Sequence, residues 1–276
     1  MKSQNILFLI FSLFVFASCE DVIEVDVPQG EKAVVVEGWL TNKAEPHFVK
    51  LYYTRKIAGN SGYPAISNAK LTLSDDAGNS EELSEVSPGK YQITAMHGVE
   101  GRTYTLKIES PEGNYEAVAP LKRLSASPDS LLFKFEPKSA IYENEGYYPR
   151  YFGQDLEGLG DYVQVKLYRN GVYMNKAIEI NLFEDKFVDG NYINDVELMV
   201  NKPFQKDEVV KAEAWSLTED AFRFLRDIQT QLQNGQIFAS PLENTRTNVR
   251  KTSTGARNVV GYFGASKVDS VVVKVE

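Results

Sequence analysis

Bond chemistry needs a nucleophile, a titratable partner or a metal, and this chain offers each sparingly. It holds one cysteine, Cys19, and two histidines, His47 and His97. Zinc sites draw their ligands from cysteine, histidine and carboxylate at short spacings. Two distant histidines with no cysteine beside them do not meet that pattern, and no metal is expected. A serine or cysteine hydrolase requires a histidine oriented by an acid and within reach of its nucleophile, and nothing around His47 or His97 points to one. The paired carboxylates of a glycosidase have no signature along the chain, because their separation in space is what defines them. Asp75-Asp76-Ala77-Gly78 lacks the spaced ligands and closing glutamate of a calcium loop and reads as a solvated turn. With no glycine-rich phosphate loop either, the chain reads as a non-enzyme without a cofactor.

Residues suited to contact are easier to find. Between Tyr142 and Gly160 stand Tyr142, Tyr147, Tyr148, Tyr151 and Phe152, with Arg150 among them and no clear period, so the stretch reads as a long loop. Tyrosine and arginine anchor protein interfaces, and aromatic faces also stack on sugars. These rings are therefore candidates for contact with a partner, a peptide or a glycan; pinning the loop to its own domain is an equal alternative. A second loop, Pro241 to Asn258, carries Arg246, Arg250, Lys251 and Arg257, cations suited to an acidic partner loop or to phosphates. The whole chain has a net charge of −8, which weighs against nucleic acid as a partner.

Strands must position most of these residues. From Ala33 to Leu121 apolar residues alternate with a period of two, as in Val49, Leu51 and Tyr53, or Tyr104, Leu106 and Ile108. Turn residues such as Ser87-Pro88-Gly89 and Ser110-Pro111-Glu112-Gly113 separate the runs. About seven short strands with regular turns predict an immunoglobulin-like β-sandwich over 33–121. The polar segment Lys122 to Asp129 marks a boundary, and 122–276 reads as a second β-rich domain. In it Tyr162 to Arg169 points Val163, Val165 and Leu167 inward, and Asn170-Gly171 predicts a hairpin. One amphipathic helix is expected near 217–233. Ser216 and Glu219 have capping-box spacing, and Ala221, Phe222, Leu225, Ile228 and Leu232 form its inward face.

The first residues read as an address. Lys2, the apolar run Ile6 to Phe16 and the small Ala17 and Ser18 have the outline of a signal peptide over 1–18, too short to span a bilayer. Phe16-Ala17-Ser18-Cys19 resembles a bacterial lipobox, which implies acylation of Cys19 and attachment to the outer membrane through N-terminal acyl chains. Glu20, Asp21, Glu24 and Asp26 make an acidic tether over 19–32. They resemble the signal that sends lipoproteins of Bacteroidota to the cell surface; a simple solvated spacer on the periplasmic face is the alternative.

Three stretches carry a wider resemblance. They are Val34-Val35-Val36-Glu37-Gly38-Trp39-Leu40-Thr41-Asn42, Gly101-Arg102-Thr103-Tyr104-Thr105-Leu106-Lys107-Ile108 and Val259-Val260-Gly261-Tyr262-Phe263-Gly264-Ala265. Together they resemble an uncharacterised family of Bacteroidota lipoproteins, typically encoded beside SusC-type TonB-dependent receptors. The resemblance brings no catalytic residues. It implies a non-enzymatic binding or accessory subunit of such a receptor. A structural scaffold, adhesin or assembly-complex subunit is the competing expectation, and a glycan-active enzyme the third.

Overall fold

Val34, Val36 and Leu40 are buried along the first strand while Glu37 faces water, the alternation that makes a half-buried strand. The computed structural model describes residues 31–55, 62–234 and 244–276. The signal segment, Cys19 and most of the acidic tether lie outside the described residues.

The first elements are β1 (Val34–Thr41), β2 (His47–Tyr53), β3 (Lys70–Asp75), β4 (Ser80–Glu82), β5 (Ser84–Ser87), β6 (Lys90–Ile93), β7 (Thr103–Ser110) and β8 (Gly113–Pro120). Then come β9 (Ser127–Glu136), β10 (Gly146–Gln154), β11 (Tyr162–Arg169), β12 (Val172–Tyr173), β13 (Asn181–Glu184), β14 (Tyr192–Glu197) and β15 (Val209–Leu217). Helix α1 (Glu219–Gln233) precedes β16 (Val249–Lys251), β17 (Val259–Ser266) and β18 (Val268–Lys274). The protein is mainly β, an immunoglobulin-like sandwich joined to a second β-rich part that carries the helix.

Two five-stranded sheets, β17-β1-β2-β6-β5 and β16-β8-β7-β3-β4, make the first sandwich. Leu51, Leu71, Leu106, Tyr91, Tyr104 and Tyr115 fill it, and each buried tyrosine finds a carbonyl for its hydroxyl, as Tyr104 does at His97 O (3.0 Å). The boundary read between Leu121 and Lys122 marks where this core ends on the outward pass only. The chain returns: β17 pairs in parallel with β1 from Val34↔Val259 to Thr41↔Ser266, and β16 joins β8. Lys32–Glu276 accordingly clusters as one compact unit. The glycine-rich sequence of β17 explains the parallel fit. Gly261 has φ +96°, and a Cβ there would strike the Val36 carbonyl, while one at Gly264 would strike the Trp39 ring.

In the second part, β14-β10-β9 packs with β12-β11-β15-β18, to which β13 adds along β11. Asn170 (φ 49°) and Gly171 (φ 81°) form the expected hairpin turn between β11 and β12. Three local expectations change. The stretch from Tyr142 is no long loop, because Gly146–Gln154 is a central strand paired on both edges. Helix α1 is capped by Thr218, whose hydroxyl accepts from Ala221 N at 3.1 Å. Ser216 lies in β15 instead and donates to Lys122 O. Finally, Phe224 is buried and Leu232 exposed: the helix presents its first turns to Leu217 and Tyr262, and further along Gln229 donates to Ala177 O and Ile180 O.

Candidate binding surface

Alternation along β10 divides five of the six aromatic and arginine candidates between two faces, and Tyr142 lies before the strand. Tyr147 and Tyr151 share the face of Phe135 and Leu131, their cross-strand partners on β9. Tyr151 is 3% exposed and donates to Ala126 O at 2.6 Å, and burial pushes its phenol up. It is a core residue. Tyr148, Arg150 and Phe152 take the other face. There Arg150 meets Glu197 at 2.7 Å and Glu136 at 3.3 Å, roofed by Tyr142, whose ring lies 4.5 Å from that of Tyr148. Tyr142 also donates to Glu197 at 2.8 Å, and Tyr148, 8% exposed, to Asn144 O. Both contacts run through Nη2; Nε is buried without a hydrogen-bond partner among the described residues and lies 3.8 Å from Asp195 Oδ1. The rings fasten residues 137–145 to the strand, leaving Phe152 half-buried and Leu132 exposed as the contact surface on this face.

The arginines near the C-terminus are likewise engaged. Arg246 donates from Nε to Asp227 on α1 at 2.8 Å, Arg250 pairs with Glu116, and Arg257 with Glu112. They latch the returning chain to the first sandwich and the helix. Pro241 to Glu243 lie outside the described residues. His47 and His97 do come together, with ring centroids 6.3 Å apart, contrary to the expectation of unrelated positions. Yet His47 Nε2 lies 3.0 Å from Thr41 O, and burial pulls its pKa down. Among the described residues no three metal-ligating side chains gather. Asp75 spends its carboxylate on Ala77 N and on both Asn79 nitrogens, closing its own turn.

The densest unforeseen cluster sits where the two β parts meet. Lys166 of β11 and Glu213 of β15 are direct cross-strand partners, yet they are not hydrogen-bonded to each other. Glu213, 1% exposed, is saturated by four donors. Lys43 and Lys211 (2.7 Å) hold Oε1, while the Tyr168 hydroxyl and Trp215 Nε1, each at 3.0 Å, hold Oε2. Burial raises this carboxyl, but those hydrogen bonds outweigh it and bring it down to about 2. Lys166 Nζ is left over the face of Trp215 at 3.2 Å, 5.9 Å from both Trp39 and Tyr173. Burial lowers the amine to about 7, opposed in part by Glu213.

Trp39 belongs to the first sandwich, and its Nε1 donates to Ser266 Oγ at 2.7 Å. Ser266 Oγ in turn donates to Ser216 O, and Asn42 exchanges hydrogen bonds with Val268 N and O. These bonds fix the tryptophan pair, whose ring centroids are 6.3 Å apart, to the strands below.

Residues 20–271 match a domain of unknown function, DUF4249. The chain belongs to that family. No curated protein matches it. Among solved structures the DUF4249 chain is similar to a two fibronectin type-III domain segment from chicken tenascin, at 14% identity over 68% of this chain and 92% of that one, with a TM-score of 0.20. It is also similar to the BSP domain of a biofilm associated protein, at 12% identity over 67% of this chain and 26% of that one, with a TM-score of 0.16. Superpositions this loose carry no argument about what the chain contacts.

Sequence reasoning missed the Lys166 cluster for a physical reason. Pointing Val163, Val165 and Leu167 inward sends Gln164, Lys166 and Tyr168 to a face that looks solvated. The short hairpin carrying Tyr173 and the end of the first sandwich cover that face. The available signal was the alternation of Lys211, Glu213 and Trp215 against Lys166 and Tyr168, charges and rings at every second position of two strands.

Proposed function

We propose that the chain is a lipid-anchored, non-enzymatic binding module at the bacterial cell surface, an accessory subunit of a SusC-type TonB-dependent receptor in Bacteroidota. The observation that carries this reading is Phe16-Ala17-Ser18-Cys19 followed by an acidic tether. Arg257 Nη1 donates to Lys32 O at 3.1 Å, just before the start of β1. β1 and β17 then run together for eight residues, about 26 Å of strand, to the seam where Asn42 binds Val268.

Affinity capture of the tagged protein from detergent-solubilised outer membranes tests the reading. A large β-barrel receptor should co-purify, and Phe152→Ala should weaken its recovery. A protein that purifies alone in mild detergent would rule out the accessory role.

A further inference from the structure

Two loops of the second part are tied to each other and still turn large apolar side chains to water. One, 155–161, follows β10; the other, 185–191, joins β13 to β14. Asp189 Oδ1 accepts from Gly158 N at 2.6 Å, Asp155 Oδ2 from Gly190 N at 3.0 Å, and Asp185 Oδ2 from Asp161 N at 3.0 Å, while Asp155 N donates to Asn191 O. Arg123 donates to Asp161 at 2.7 Å and to the carbonyls of Glu157 and Gly158. Bonds this dense fix the backbone in advance, which lowers the ordering cost of any contact the loops make. Out of them stand Phe187, 84% exposed, and Leu159, 71% exposed, with Leu156 and Tyr192 exposed as well. Single exposed apolar residues are ordinary, but a group of them on two cross-linked loops marks a contact surface.

The charges around those side chains select what covers them. Asp155, Glu157, Asp161, Glu184, Asp185 and Asp189 lie in or beside the two loops, against Arg123 and Lys186, and the neighbouring Arg223 is matched by Glu219. The balance stays negative although burial pushes Asp155 up. Anionic lipid is repelled by such a rim. A second copy is repelled too, because in a two-fold dimer the same patch meets itself. We propose that loops 155–161 and 185–191 insert Phe187 and Leu159 into an apolar pocket of a partner protein whose rim carries lysine or arginine. The first loop continues the strand that carries Phe152, so the surface extends the contact already assigned to the receptor. With the receptor as partner, the inference rests on the accessory reading above.

The test compares how much β-barrel receptor the tagged full-length protein and its variants recover from detergent-solubilised outer membranes. Phe187→Ala, Leu159→Ser and the double reversal Glu157→Lys with Glu184→Lys should each lower recovery about tenfold or more. All four side chains are exposed, so the melting temperatures should not change. Added salt should weaken capture by the wild type. Val86→Ala, exposed on the first sandwich, should leave recovery as it is. Capture by the wild type that Phe187→Ala and the double reversal leave undiminished would overturn this surface while the accessory role stands. No barrel recovered with the wild type would overturn both. A dimer in sedimentation that Phe187→Ala dissolves would assign the surface to a second copy and overturn the proposal. Flotation of the Cys19→Ala chain with phosphatidylcholine vesicles, lost on adding Phe187→Ala, would assign it to lipid and overturn the proposal equally.

Discussion

Replacing Lys166 by methionine should make the free protein more stable, the reverse of most substitutions at a packed position. Methionine keeps the length of the side chain over Trp215 and discards the charge. A fall of the amine from 10.5 to about 7 corresponds to roughly 5 kcal/mol against the charged form. Water at Nζ and the indole face return part of that, so a gain of about 2 kcal/mol is expected at pH 6. The pH dependence gives the sharper test. Below pH 7 Lys166 is charged in both the folded and the unfolded chain, and the full cost is present. Between about 7 and 10.5 the unfolded chain holds the proton more tightly, so wild-type stability rises with pH, by up to about 2.6 kcal/mol from pH 6 to pH 9. The methionine variant lacks this rise. Urea unfolding of both proteins at the two pH values measures it. A variant less stable than wild type at pH 6, or an advantage that does not shrink at pH 9, would refute the account of Lys166 as an amine whose charge burial disfavours.

Glu213 should behave oppositely. Its carboxyl is held at about 2 against 4.5, so it contributes roughly 3 kcal/mol that is fully present above pH 4.5 and lost as pH falls toward 2. Glu213→Gln should cost about 3 kcal/mol in urea unfolding at pH 7 and remove that acid dependence. Gly261→Ala combines a left-handed backbone with a clash at Val36 O and should destabilise by more than about 2 kcal/mol, visible as a lower melting temperature. Thr218→Ala removes the cap of α1 and should cost about 1 kcal/mol in the same melt, whereas Ser216→Ala should leave the helix cap intact.

Much of the architecture was legible because strand alternation is local. Tyr162 to Arg169 spans β11 as expected, and Asn170-Gly171 makes the turn that its residue types require. The return of β16 and β17 to the first sandwich was not legible, because parallel pairing of Val34 with Val259 joins residues on either side of the whole second part. The glycines that permit it, Gly261 and Gly264, could be recognised as close-approach positions without revealing which strand approaches. The aromatic stretch misled because Pro149 and the glycines obscure a period of two that pairing to β9 and β14 enforces. Six plausible contact residues then became three tyrosines in or against the core (Tyr147, Tyr148 and Tyr151), an arginine paired with glutamates, and the Tyr142 roof, with Phe152 the main remnant of the original surface. The Lys166 cluster depends on two strands and on Trp39 and Lys43 from the first sandwich, and no stretch of sequence shows that conjunction.

The mature amino-terminus tests the anchored-module account most directly. Mass spectrometry of the amino-terminal peptide from protein extracted from membranes should find Cys19 as the first residue, bearing acyl chains. A mature chain that begins elsewhere, or a Cys19 free of lipid, would contradict it.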